Sequence, residues 1–411
     1  MRILFVSAPL PGHLDWGGYA ATAAELHRRG HQVLWASGEG VQPILEKLGL
    51  PFHPLAETGW RWPPPPPLQV DPGAAQATFQ RLRMVRSLDQ WLGEDRVERA
   101  TQALVELGRA FRPDLLVSEM FIAAAGIASE LLDTPLVVAG WPAMPTRVSP
   151  AARYIVQMAQ DRLTRLLERF GARGVNWITD GPPALLSPHL HLTYWSPTWF
   201  AGLDLLPQNR HVGGLPGPVA PEPAWLAALP PDRPRVFVTL GTTFTDDPNF
   251  FIAAAHGVVQ AGGAPILAVG RADPAFLEKL RPRLPRLALV RERVDFAQVL
   301  PRVQAAIHHG GAGTTHALVT YGVPQIVVPH AADQGRQAAG VVRSGVGAQV
   351  PPRQVTVQGL AAMLRDFMAE GSAVRRRARA LQEEFARLGG VPAAADLLEK
   401  VIEGGIGGEK G

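Results

Sequence analysis

The stretch IHHGGAGTTHALVTYGVPQIVVPHAADQ occupies residues 307–334. Its apolar run, ending at His308, reads as a strand buried on both faces, as in a parallel sheet covered by helices. The glycines of HGGAG then make a turn, and a helix begins at Thr314 or Thr315 and runs to about Tyr321. Gly322 and Pro324 stop that helix, a glycine just past the end with a proline behind it. Glycines ahead of a helix N-terminus let backbone N–H groups approach an anion, and the helix dipole favours negative charge there. This order of strand, turn and helix predicts an anion site.

The same rhythm recurs on both sides. Short apolar runs lie at 3–7, 32–36, 115–118 and 136–139, then at 236–240, 266–269, 287–290, 305–308 and 325–328. Stretches of helical length and period separate them, for example 18–29 and 249–260, and helices are also expected over 69–99 and 153–170. This is a βαβ pattern in two halves, an α/β fold with two doubly wound domains. The expected domains are 1–212 and 235–388. A proline- and glycine-dense linker spans 213–234, and a helix after the Gly389–Gly390 break, within 389–411, is expected to pack back on the first domain. Another proline-rich segment, GWRWPPPPPLQVDPG at 59–73, reads as a loop whose Trp60 and Trp62 are candidates to line a binding cleft.

Composition narrows the function classes. With 411 residues, 46% apolar and 18% charged, the chain is long enough for two globular cores. No apolar run approaches a membrane span. The absence of cysteine excludes disulfides, cysteine–zinc sites and a thiol nucleophile. A cytoplasmic protein is expected. The arginines at 375, 376, 377 and 379 fall on an amphipathic helix without interleaved aromatics, so no nucleic-acid partner is expected. Peripheral membrane contact, and a monomer or a homodimer, remain compatible with this composition.

Doubly wound domains bind ligands beyond the carboxyl ends of their strands. After the first strand comes SAPLPGHLDWGG, which puts His13 at the strand-to-helix turn, where an imidazole is suited to act as general base or to bond local backbone. The strand in PDLLVSEMF ends at Glu119. A carboxylate there can orient a histidine and stabilise its imidazolium. No G-x-G-x-x-G dinucleotide fingerprint is present.

Residues 307–334 resemble the donor-binding segment of the GT-B family 1 glycosyltransferases, especially bacterial members acting on natural products and lipids. The GH turn, RPDLLVSEMF, HVGGL, VFVTLGTTF and GGVPAAADLLE follow in the family's order along the whole chain. The resemblance implies a nucleotide-diphosphate sugar donor (UDP- or dTDP-), held by the C-terminal domain, and a hydrophobic small-molecule or lipid acceptor held mainly by the N-terminal one. It implies direct, inverting transfer of a hexose with no cofactor and no metal. His13 matches the catalytic base and Glu119 its acidic partner. His308, Gly311, Ala312, Gly313 and Thr314 match the diphosphate cradle, with Thr242 or Thr243 adding a contact, and His309 is read as structural. Asp333 and Gln334 match the sugar-binding pair. Arg293, Val294 and His316 fall at nucleoside-binding positions. Asp15, Trp16, Trp62 and Trp141 are candidates for the acceptor cleft, and Asp15 is a second candidate for the base.

Several positions depart from the family pattern: GHLDW replaces GHxxP, His316 stands where many relatives have glutamate, and Ala331 stands where an aromatic is frequent. Two other readings fit the same architecture, a nucleotide-sugar epimerase and a non-catalytic partner of a glycosyltransferase. His13 argues against the first, and the retention of His13 with Asp333 and Gln334 argues against the second.

Overall fold

The computed structural model describes residues 1–63, 65, 76–140, 153–177, 184–241, 247–270, 273–330 and 333–404. The chain forms two compact units. The first carries seven strands: β1 (Arg2–Val6), β2 (Gln32–Ser37), β3 (Phe52–Pro54), β4 (Leu115–Ser118), β5 (Leu136–Ala139), β6 (Leu190–Thr193) and β7 (Asn209–His211). The second carries six: β8 (Arg235–Thr239), β9 (Ala264–Ala268), β10 (Leu289–Arg291), β11 (Ala305–His308), β12 (Gln325–Val327) and β13 (Gly347–Gln349). All pairings between these strands are parallel. The orders are β3-β2-β1-β4-β5-β6-β7 and β10-β9-β8-β11-β12-β13. In each sheet the order reverses once, between β1 and β4 and between β8 and β11.

The apolar runs become the buried strands because helices cover both faces of each sheet. In the first unit the helix Tyr19–Arg28 lays Tyr19, Ala23 and Leu26 on the sheet. Phe5 stacks on Trp35 at 5.4 Å, and Tyr19 meets Trp35 edge-on at 4.9 Å. In the second unit Phe250 and Phe251, on the helix Pro248–Gln260, join Val236, Val238 and Ile307 in the core. No helix among the described residues is long and apolar enough to cross a membrane.

The structure adds strands that the apolar runs do not reveal. β3, β7 and β13 read FHP, NRH and GAQ, edge strands with little to bury. β6 is fully buried although it contains His191, whose Nε2 accepts the Ser187 N–H at 2.9 Å. Burial depresses that imidazole's pKa to about 4, so it is neutral at pH 7. The helical region expected over 69–99 is instead two described helices, Gln76–Trp91 and Glu94–Phe111, broken at Gly93. The stretch 213–234 is no free linker: Trp225 and Leu226 pack into an apolar cluster with Phe237 and Ala306. Residues Trp195–Gly202 group with the second unit, although the chain on either side belongs to the first.

The helix Gly390–Ile402 belongs to the first unit from Val391 onward. Arg29 holds it with bonds to Asp396 at 2.6 Å and Glu399 at 2.9 Å, and His31 meets Glu399 at 2.8 Å. Hydrogen bonds from Arg28 and Arg29 pull the Glu25 carboxyl down to about 2, so this network stays charged at neutral pH. Replacing Arg29 with Met should release the helix without unfolding the sheet. Hydrogen exchange should then rise about 5- to 10-fold over residues 390–402, matching the loss of roughly 1 kcal/mol from part-exposed ion pairs, with β1 and β4 unchanged.

Candidate functional site

Pro11 starts the short helix Pro11–Asp15 directly behind β1, and this helix carries His13. Glu119 is the first residue after β4, the strand paired with β1 through Val6 and Ser118. The strand reversal therefore brings the two together. His13 Nδ1 lies 2.7 Å from Glu119 Oε2, with the imidazole slightly exposed and the carboxylate wholly buried. The other carboxylate oxygen accepts the Ala8 N–H at 2.5 Å, which fixes its rotamer. With Nδ1 turned to Glu119, Nε2 is the ring nitrogen left to handle a proton.

Aromatic rings surround this pair. Trp16, Trp60 and Phe121 lie 4.7, 5.2 and 5.8 Å from the imidazole, centroid to centroid. Trp16 is almost fully buried in a left-handed backbone conformation, φ 41°. Gly140 makes room for it: at φ +97° a Cβ there would come within 2.7 Å of the indole. Asp15 and Trp62 are exposed, and Trp141 lies outside the described residues.

In the second unit the strand reversal sets the turn after β8 beside the turn after β11. The helix Ala312–Thr320 starts from Gly311, which has no side chain to cap it, and Ala312, Gly313 and Thr314 are part-exposed there. The helix Gln334–Arg343 also begins without a side-chain cap, behind Asp333. Five other helices of this unit are capped, by Asp247, Asp273, Asp295, Thr356 and Ser372. Uncapped N–H groups behind a glycine turn are free to bind an anion.

The two histidines of the turn divide differently from the sequence reading. His308 is fully buried: its Nδ1 accepts the Gly310 N–H at 3.1 Å and its Nε2 faces Gln325 Oε1 at 3.0 Å. Both nitrogens are used, and burial lowers its pKa to about 3. His308 is a neutral brace beneath the turn and is not placed to touch a diphosphate. His309 lies over the glycines instead; a Cβ on Gly241 would come within 2.8 Å of its Nε2, and one on Gly311 within 2.5 Å. Burial and the neighbouring His330 lower its pKa to about 4.

Residues 276–403 match the family model of the erythromycin biosynthesis protein CIII-like C-terminal domain. A curated relative, the O-mycaminosyltylonolide 6-deoxyallosyltransferase of Streptomyces fradiae, is 29% identical, covering 98% of each chain. Among solved structures, the calicheamicin glycosyltransferase CalG4 superposes with TM-score 0.77 at 23% identity, covering 98% of each chain. The glycosyltransferase VinC, solved in complex with dTDP, has TM-score 0.70 at 23% identity, covering 98% of this chain and 100% of its own. The chain has the fold of these GT-B glycosyltransferases.

The remaining expected residues fall into two groups. Asp333 is part-exposed, whereas Gln334 is buried with its side-chain oxygen accepting the His330 N–H at 2.7 Å. Thr242, Thr243 and Ala331 lie outside the described residues. His316 is a correction: its ring is enclosed by Trp195 at 5.4 Å and Phe385 at 5.5 Å, so it packs the core of the unit and does not face a nucleoside. Val294 leans on the apolar cluster around Phe237, and Arg293 is exposed. The stacked arginine nearby is Arg291, whose guanidinium lies 4.7 Å over Trp225. Sequence reading missed Phe121, two residues beyond Glu119, and His330, whose Nδ1 bonds the Val328 carbonyl at 2.7 Å.

Buried neutral histidines make the protein acid-sensitive. His191 and His308 take up a proton near pH 6.5 when unfolded but only near 4 and 3 when folded. Their contribution is therefore intact above about 6.5 and lost as pH falls toward 4. By pH 5 each should cost about 2 kcal/mol. Urea midpoints measured at pH 7.5 and 5.0 should show this drop, and it should shrink in His308→Gln.

Proposed function

We propose that the protein moves a hexose from a UDP- or dTDP-sugar to a hydroxyl of a hydrophobic natural product, with inversion at the anomeric carbon and without a metal. The observation that carries the reading is the 2.7 Å approach of a solvent-reaching His13 to a wholly buried Glu119 at the end of paired strands. His13 Nε2 takes the acceptor proton as the hydroxyl oxygen attacks the anomeric carbon. The bond from that carbon to the diphosphate oxygen breaks, and its electron pair leaves with the nucleotide. Glu119 stabilises the imidazolium that forms. The leaving group's charge is met by the open N–H groups at Ala312–Thr314, with His309 beside them, fixed dipoles of the kind that dominate electrostatic catalysis.

Support for the donor comes from VinC, whose structure holds dTDP, and support for the acceptor from relatives named for natural-product glycosylation, among them the tylonolide-type enzyme of Streptomyces fradiae. The same reading places the enzyme in the cytoplasm.

The test is incubation with UDP- and dTDP-hexoses and a panel of phenolic, polyketide, terpenoid and lipid acceptors. Product NMR should show the anomeric configuration opposite to the donor's, and transfer should survive EDTA. His13→Ala should lower kcat by 100-fold or more, in line with loss of a general base, while nucleotide affinity stays near wild type. Robust transfer by that variant would remove His13 from the mechanism. His309→Ala should weaken nucleotide binding, measured by calorimetry, more than it changes the urea midpoint, and His308→Ala should do the reverse.

A further inference from the structure

The GHLDW turn departs from the family pattern, and what replaces it is a ring of aromatic side chains. Trp16, Trp60 and Phe121 all have centroids within 6 Å of the His13 imidazole, and Trp60 and Phe121 touch each other at 5.3 Å. They come from separate parts of the first unit: the end of His13's own helix, the loop after β3, and the turn after β4. The Trp60 indole N–H is enclosed with no hydrogen-bond partner among the described residues, so the ring is held here by its packing alone.

Within about 6 Å an aromatic face attracts a cation through its quadrupole, and the attraction grows when water is excluded. In the proposed reaction His13 is neutral before transfer and cationic during it. Rings that favour the cation over the neutral form stabilise the transition state more than the ground state, which is the condition for accelerating the chemical step. The charged and titratable groups to weigh beside them are Glu119 from the turn after β4, with the buried Tyr19 phenol behind it, and Asp15 on His13's own helix.

We infer that Trp60, with Phe121 and Trp16, forms an electrostatic sleeve that stabilises the imidazolium of His13 as the acceptor hydroxyl is deprotonated, making Trp60 a positioning residue that acts through the base. This rests on the reading of His13 as the base. It also accounts for the loss of the usual GHxxP turn: Trp16 adds a ring to the sleeve, and Gly140 leaves the space for it.

The experiment compares Trp60→Phe with Trp60→Leu, which differ in ring quadrupole while both remove the indole. The acid limb of kcat/KM against pH is recorded for the full-length enzyme, with Phe121→Leu as a second variant should Trp60→Leu fold poorly. Without the sleeve the imidazolium holds its proton less firmly, so the acid limb of Trp60→Leu should move to lower pH by about half a unit or more, while the plateau falls about 3- to 10-fold. Phe121→Leu should move in the same direction, and Trp60→Phe should stay within about 2-fold of wild type. Equal losses in Trp60→Phe and Trp60→Leu with an unmoved acid limb would overturn the inference. His13→Ala is run alongside: transfer surviving in it defeats the base assignment itself, whereas its loss together with an unmoved limb in Trp60→Leu defeats only the sleeve.

Discussion

Parallel pairing of β1 with β4, repeated by β8 with β11, is the constraint on which the chemistry depends. Each pair sits where its sheet reverses strand order, so the chains leaving the two strands splay to opposite faces and leave their first turns side by side. In the first unit those turns hold His13 and Glu119; in the second they hold Gly241 and the HHGG turn. Residues more than one hundred positions apart in one case, and nearly seventy in the other, meet because the register of four-residue pairings places them there. The rest of each unit keeps those pairs dry and aligned.

The two sites use buried polar groups differently. Glu119 is a buried acid tied by one oxygen to backbone and offered by the other to a histidine that reaches solvent. His308 is a buried base with both nitrogens committed, linking the Gly310 amide to Gln325. Satisfying such groups makes a turn rigid, and leaving one unsatisfied costs heavily. The second unit thus holds its glycine turn stiff from below while leaving the helix amides above it open.

Much of this was legible in the sequence. Long apolar runs marked the central strands because strands buried on both faces need them. Edge strands such as FHP and GAQ have little to bury, and their pairing is backbone chemistry that composition does not display. His13 and Glu119 could be singled out because each lies in the turn that follows an apolar run. The sequence reading gives His308 to the diphosphate and takes His309 as structural. The fold divides them differently because His308, the last residue of its strand, has both ring nitrogens bonded beneath the turn, which adjacency in sequence does not display. His316 looked like a ligand residue because its position in the motif says nothing of the face it occupies on its helix; Trp195 and Phe385, far away in sequence, decide that.

The placement of Trp195–Gly202 sets rules for recombination among such enzymes. Trp199 rests against Gly340, where any Cβ would collide with the indole, and Arg343 bonds the Trp199 carbonyl. A second unit exchanged at residue 212 would leave this hook behind in the first unit's gene segment, facing a foreign residue at 340. It would also carry off the helix Gly390–Ile402, whose partners Arg29 and His31 stay with the first unit. A chimera that respects the fold therefore needs four junctions rather than one, with the hook travelling with the second unit and the last helix remaining with the first.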